Sequence, residues 1–174
     1  MGSSMYSLVS QANAKARISR IIFKALGIPS GKTMKPNEMS CVLEVRNKNY
    51  SFWLTGDVER QGEAEITERL DAVMLSEIGD RQIIFMAPHH GSKTSSSVEL
   101  LKTLEPDIAF AQNGYRNRYG HPHPTVVARY KSLKIPFHQT PKTGAQVWTF
   151  RTDPVRATSR FMRWESGRLW HRFD

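Results

Sequence analysis

One cysteine, Cys41, is all that this chain of 174 residues contains, and it lies in an apolar run. An internal disulfide and a cysteine-rich zinc site are both excluded. No apolar run reaches the roughly 18 residues that a membrane-spanning helix needs. Residues 1–5 read as an appended leader, because they lack the charged and apolar regions of a signal peptide. Acid is scarce: 16 Asp and Glu stand against 25 Lys and Arg, a formal net charge of +9, with a pI near 9.9. That balance suits an anionic partner, nucleic acid or an acidic lipid surface, or serves solubility alone. No Gly-x-Ser-x-Gly elbow and no cysteine-centred nucleophile motif is present. Gly31-Lys32-Thr33 is not a phosphate loop: the earlier glycine would stand at position 26, which is Leu26, and no apolar strand precedes it. There is no internal repeat and no long low-complexity tract.

What is present suffices for one domain with a real core, since hydrophobic residues make up 39% of the chain. Residues 7–26 have the spacing of a basic amphipathic helix that ends at Gly27, packed on its own domain or lying on a membrane or nucleic acid. Residues 29–37 form a loop. Two β-type runs, 41–45 and 50–54, flank the asparagine-bearing stretch 46–49 and predict a hairpin. Helical spacing follows over 63–78, then a short strand over 83–86. A helix capped by the Ser/Thr run covers 95–104, and 107–111 is a strand. Pro124 starts a helix over 125–133, and 135–138 and 145–150 complete the strands. Strands alternating with helices predict an α/β layered domain. Beyond Phe150 six arginines are interleaved with Phe161, Trp164, Trp170 and Phe173. Such a tail either tracks a phosphate backbone or packs its aromatics on the domain. The chain divides into an atypical start (1–36), an α/β domain (37–150) and a basic aromatic tail (151–174).

Four of the six histidines fall in two short clusters, His89-His90-Gly91-Ser92 and Gly120-His121-Pro122-His123-Pro124. Imidazole is the commonest metal ligand and titrates nearest neutral pH. Asp57 ends an apolar strand after Gly56, either as ordinary Gly-Asp turn chemistry or as a carboxylate presented to a cleft, where its two oxygens could bridge two hard cations. One of the adjacent histidines, His89 or His90, can bind metal while the other orients it or touches substrate. Ser92, Thr94, Ser95 and Ser96 lead into a helix start, a natural phosphate seat. Two prolines stiffen the loop of His121 and His123, which either holds the imidazoles for a site or is a rigid loop that caps the next helix. Arg116 and Arg118, with Tyr115 and Tyr119, stand beside it as phosphate or base contacts. His138 and His171 read as structural.

In order and spacing, Leu54-Thr55-Gly56-Asp57, His89-His90-Gly91-Ser92-Lys93-Thr94-Ser95-Ser96-Ser97 and Arg118-Tyr119-Gly120-His121-Pro122-His123-Pro124 closely resemble a known family. It is the C-terminal metallo-β-lactamase-like domain of the ComEC DNA-uptake competence proteins, matched over residues 37–150. The resemblance implies part of an αββα sandwich, a mixed sheet with flanking helices, divalent metal (manganese or zinc) and phosphodiester cleavage of a DNA strand. It implies single-stranded DNA and the membrane channel portion of the same full-length protein as partners, outside the cytoplasm at the bacterial inner membrane. Asp57 would be the metal-bridging carboxylate, one of His89 and His90 a metal ligand, and His121 and His123 neighbours of the scissile phosphate. Ser40 stands where many metallo-β-lactamase relatives carry a histidine ligand. The superfamily's first metal cluster has no counterpart, for no histidine precedes position 37 and no aspartate precedes Asp57. The chain thus resembles the second half of that domain, with an incomplete metal site and an apolar face that self-association would cover. A non-catalytic DNA-binding segment and another hydrolase on the same fold are the alternatives.

Overall fold

The computed structural model describes residues 22–26, 35–70, 76, 79–152 and 154–166. Six strands form one sheet in sequential order: β1 (Ile22–Leu26), β2 (Val42–Arg46), β3 (Tyr50–Leu54), β4 (Gln82–Met86), β5 (Ile108–Ala111) and β6 (Phe137–Gln139). The first three run antiparallel and β3 to β6 run parallel. The parallel strands need crossovers, and helices supply them: α1 (Arg60–Arg69), α2 (Val98–Leu104) and α3 (Pro124–Ser132). The expected α/β class with a mixed sheet is what the chain adopts. Among the described residues no helix is long and apolar enough to cross a membrane.

The expected hairpin is β2–β3. Asn47 closes it by accepting the Asn49 and Tyr50 amides on its side-chain oxygen, both at 2.9 Å, the asparagine turn that the sequence signals. Residues 22–26 depart from the helix expected over 7–26. They are strand β1, paired residue for residue with β2 from Ile22↔Arg46 to Leu26↔Val42. The free edge of β2 offers a row of backbone donors and acceptors, and pairing satisfies them where a helix would not. Residues 7–21 lie outside the described residues.

Helix α1 starts three residues before the expected 63. The distant Glu38 carboxylate accepts the Gln61 and Gly62 amides at 3.3 and 2.6 Å and so caps the helix from another segment. Gly62 is required there, since a Cβ would stand 2.2 Å from Val58 Cγ2. Residues 71–75 and 77–78, the rest of that expected helix, lie outside the described residues. Helix α2 is capped by Ser97 Oγ, which accepts the Leu100 amide, and α3 by His123 Nδ1, which accepts the Thr125 amide.

Alternation along the strands sorts side chains to two faces. Val42, Trp53, Phe85 and Ala109 meet Ile66, Leu100, Val126 and Tyr130 from the helices in one buried cluster. The opposite face is met by a second, two-stranded sheet, β7 (Gln146–Thr152) and β8 (Val155–Phe161). Phe150 packs against Tyr50 with ring centres 4.9 Å apart and planes tilted by 47°, and Trp148 stands 6.5 Å from Phe110. Strand β7 runs through Phe150, and the arginine-rich sequence after it supplies β8. There Phe161 packs on His138 and on Trp164, each at 4.6 Å, and Trp164 Nε1 donates to the Lys142 carbonyl. Phe161 is thus partly packed on the domain, whereas Trp164 touches it by one edge and stays 61% exposed. Trp170 and Phe173 lie outside the described residues.

Candidate functional site

The turns that follow β3, β4 and β5 meet at the carboxyl ends of three parallel strands, the usual place for a ligand in an open α/β sheet. After β3, Gly56 takes a left-handed φ of 58° and passes so close to Ser40 that a Cβ would stand 3.2 Å from the Ser40 Cβ. The Ser40 hydroxyl accepts the Asp57 amide at 3.2 Å, and Thr55 Oγ1 donates to the Met86 carbonyl at 2.7 Å. The Asp57 backbone is thus fixed to two neighbouring segments while its side chain is half exposed.

After β4 the chain makes a rare turn. His89, His90 and Gly91 all have left-handed φ, at 47°, 56° and 80°. For a residue with a side chain this conformation costs about 1–2 kcal/mol, so surrounding contacts must hold it. The His89 amide donates to Gly56 at 2.9 Å, the Ser92 amide to His89 at 2.9 Å and the His123 amide to Gly91 at 2.8 Å. Ser95 Oγ donates to the Pro88 carbonyl at 2.7 Å. Gly91 packs on the 121–124 loop so tightly that a Cβ would lie 2.6 Å from Pro122 Cβ. Backbone distortion of this kind clusters at functional sites.

The turn aims adjacent imidazoles at different carboxylates. His90 Nδ1 lies 2.6 Å from the Gln112 carbonyl. A carbonyl only accepts, so Nδ1 carries the hydrogen and Nε2 of the neutral ring bears the lone pair. That Nε2 faces Asp57 Oδ1 at 3.6 Å. His89 Nδ1 stands 3.1 Å from Glu59 Oε1, at bonding distance but without the angle of a hydrogen bond. The His121 ring lies 5.8 Å from that of His89, and its Nδ1 is enclosed with no hydrogen-bond partner among the described residues. Asn117 holds the His121 backbone from both sides, accepting its amide at 2.9 Å and donating to its carbonyl at 2.6 Å, and Asn113 adds a bond to that carbonyl at 3.0 Å. His123 uses Nδ1 as an acceptor for the α3 amide, which leaves a hydrogen on Nε2.

Burial pushes the His121 imidazole below the ordinary histidine range, and repulsion from His89, His90 and His123 acts in the same direction. The folded state therefore favours neutral His121. Its contribution to stability is whole above the unfolded value of about 6.5 and is lost as pH falls through the lowered folded value. We expect the melting temperature to fall as pH drops below about 6.5, and the fall to be shallower in His121→Asn. Equal slopes in the two proteins would remove His121 from this role. His138, lowered by burial, acts with the same sign and keeps a residual slope in the variant.

The serine run divides. Ser92 Oγ and Thr94 Oγ1 share a hydrogen bond at 3.0 Å, with Thr94 exposed at the site's margin. Ser95 and Ser96 are wholly enclosed. The Ser95 hydroxyl donates inward to the loop's own carbonyls, and Ser96 Oγ accepts from the Tyr130 hydroxyl at 3.1 Å. The amides of Ser96 and Ser97 donate to the buried Glu63 carboxylate, so at this helix start a protein carboxylate takes the amides an anion would use. Arg116 and Arg118 are exposed on the loop before His121. Glu59, Glu63, Asn113 and Asn117 were not legible as site residues from sequence. Glu59 alone had a local signal, two positions after Asp57 in the same turn.

Two acceptors 3.6 Å apart, the His90 Nε2 lone pair and Asp57 Oδ1, repel unless a proton or cation lies between them. That spacing suits donors each about 2.1 Å from a shared cation. The Gln112 carbonyl on Nδ1 is the kind of outer contact that orients a ligating imidazole. Asp57 and His90 therefore fit one edge of a metal site. Among the described residues, no three His, Cys, Asp or Glu side chains gather at ligand spacing.

No family model matches the chain. Curated relatives do. The chain is 32% identical over 135 residues to competence protein ComA of Neisseria gonorrhoeae, covering 78% of this chain and 19% of that protein. It is 30% identical over 145 residues to recombination protein 2 of Haemophilus influenzae, covering 82% and 17%. It is 29% identical over 150 residues to ComE operon protein 3 of Bacillus subtilis, covering 82% and 18%. The chain spans less than a fifth of the length of these relatives. Over the stretch that it spans, the chain belongs to the ComEC family of competence proteins.

Proposed function

We propose that the chain carries part of a DNA-processing site used in DNA uptake, one that holds a single strand and hydrolyses its phosphodiester with the help of a divalent cation. The observation that supports this reading most is the meeting of Asp57, Glu59, His89, His90, His121 and His123 from three strand-end turns. On this reading the layered fold is part of an αββα sandwich of metallo-β-lactamase type. Asp57 and His90 would hold manganese or zinc, with Gln112 orienting the imidazole. When bound, such an ion supplies Lewis-acid polarisation of a phosphoryl oxygen. His123, with a hydrogen on Nε2, donates to a phosphate oxygen, and neutral His121 sits beside it as the uncharged partner. Arg116 and Arg118 pair with backbone phosphates, and Thr94 supplies a hydroxyl contact at the rim with the buried Ser92 bonded behind it. Ser95 and Ser96 shape the loop from within. The setting we infer is the extracytoplasmic side of a bacterial membrane, beside the channel portion of a longer protein.

The exposed arginines and the +9 charge also favour a second reading, strand binding without cleavage. Incubating the protein with labelled single-stranded DNA separates the two. Cleavage that requires manganese or zinc and stops with chelator supports the nuclease. Binding that weakens steeply with salt, without cleavage, supports the second reading, because counterion release scales with phosphates neutralised. No binding even at low salt overturns both.

A further inference from the structure

The loop between β5 and α3 places two water-exposed rings beside the histidine cluster. Tyr115 is 54% exposed and Tyr119 is 64% exposed. Each has an arginine on its ring: Arg116 Cζ lies 5.1 Å from the Tyr115 centroid and Arg118 Cζ 4.8 Å from the Tyr119 centroid. Arg118 also donates to the Tyr119 hydroxyl. The Tyr119 ring stacks on His121 at 5.8 Å with 20° between the planes.

Both rings leave most of their surface in water, so core packing does not explain them. Their backbone is nonetheless held. Asn117 ties the Gly114 carbonyl at 3.1 Å to both polar groups of His121, and the Gly120 amide closes back on Asn117 at 3.1 Å. A pinned loop that presents aromatics to solvent is organised before any ligand arrives, which lowers the entropy lost on binding. Alternating aromatic faces and guanidinium groups match a nucleic-acid strand, whose bases offer π-faces and whose backbone offers charge. A duplex hides those faces in its own stack, and a single strand exposes them.

Resting on the DNA-handling reading above, we infer that Tyr115 and Tyr119 form a base-stacking platform that selects single-stranded DNA and seats the nucleotide next to the phosphodiester at His121. The Tyr119–His121 stack joins the platform to the reaction site. A base lying on Tyr119 therefore sets which phosphate faces the imidazoles.

The test uses the whole chain and a fluorescent oligothymidylate about 12 nucleotides long, within the usual site size of a stacking groove. Three competitors accompany it at low salt: the matched duplex, an abasic strand of equal length, and inorganic phosphate. Tyr119→Ala and Tyr115→Ala should each weaken single-strand binding by about tenfold, with duplex and abasic binding unchanged and melting temperature preserved. Tyr119→Trp should restore affinity. Arg116→Ala should weaken all three polymers and lower the salt slope by about one unit. Equal wild-type affinity for strand and duplex, or an equal loss on the abasic strand, overturns the platform and leaves the DNA-handling reading standing. Wild-type protein that binds no polymer better than phosphate competes overturns both.

Discussion

Asp57→Ala is expected to abolish the stabilisation that manganese or zinc would give the wild-type protein on the proposed reading. A cation present at about 100 times its dissociation constant stabilises the folded state by roughly 2.7 kcal/mol, which in a domain of this size raises the melting temperature by about 5–10 °C. The variant should show no rise. Without metal it should melt within about 0.5 kcal/mol of the wild type. The reason is that the half-exposed carboxylate leaves the packing intact, and the bond from the Asp57 amide to Ser40 involves only backbone on that side. DNA cleavage should fall at least about 100-fold, since losing even an outer partner of a ligand costs 10–100-fold. A wild-type protein indifferent to both ions would sink the cation site. Cleavage surviving in Asp57→Ala would remove Asp57 from it.

The second large effect is on the fold. Glu63 is fully enclosed, and its two oxygens accept the amides of Ser96 and Ser97. On the far side of those residues, Arg129 donates to the Ser95 and Ser96 carbonyls at 2.7 and 3.1 Å. Glu63→Ala strands the Ser96 and Ser97 N–H groups, one buried and one partly buried, at about 1–3 kcal/mol each, so a loss of about 2–6 kcal/mol and a melting temperature lower by about 10 °C are expected. Burial pushes the Glu63 carboxyl above the ordinary glutamate range, against the hydrogen bonds from Ser97 and Ser96 that pull it down. Its contribution is therefore fully present below the unfolded value of about 4.3 and declines as pH rises through the raised folded value. Glu63→Gln keeps one acceptor and no charge. It should be less damaging than alanine and should lack that decline. A Gln variant tracking the wild type at every pH, measured by thermal melting, would show that Glu63 does not titrate in this way.

Local chemistry made most of the scaffold legible. Asn47 announces the hairpin, the Ser/Thr run announces α2 although the helix begins at Val98 and not at 95, Pro124 announces α3, and the alternation of strand and helix follows from apolar spacing. Strand β1 was not legible, because Ile22 and Leu26 also satisfy helical spacing. Only the free edge of β2, a partner some twenty residues away, decides between the two. The start of α1 failed for a similar reason, since its cap is Glu38 from another segment. At the site, Asp57 and the four histidines lie on neighbouring strand-end turns. Ser95 and Ser96 look like surface hydroxyls in a serine run, yet the Tyr130 phenol and the loop's own carbonyls occupy them. Glu63 and Asn117 are ordinary polar residues until a neighbour 33 or four positions away gives them a bond.

The backbone bonds that join the three strand-end turns have a consequence for time as well as geometry. His89 is tied to Gly56, Ala87 to Phe110 and His123 to Gly91, so the hydrogen-bonded ladder continues past the strands and into the turns that bear the imidazoles. Parting the histidines means parting the sheet. The backbone of the cluster therefore shares its restraints with the sheet, and an arriving ligand meets turns that the fold has already set.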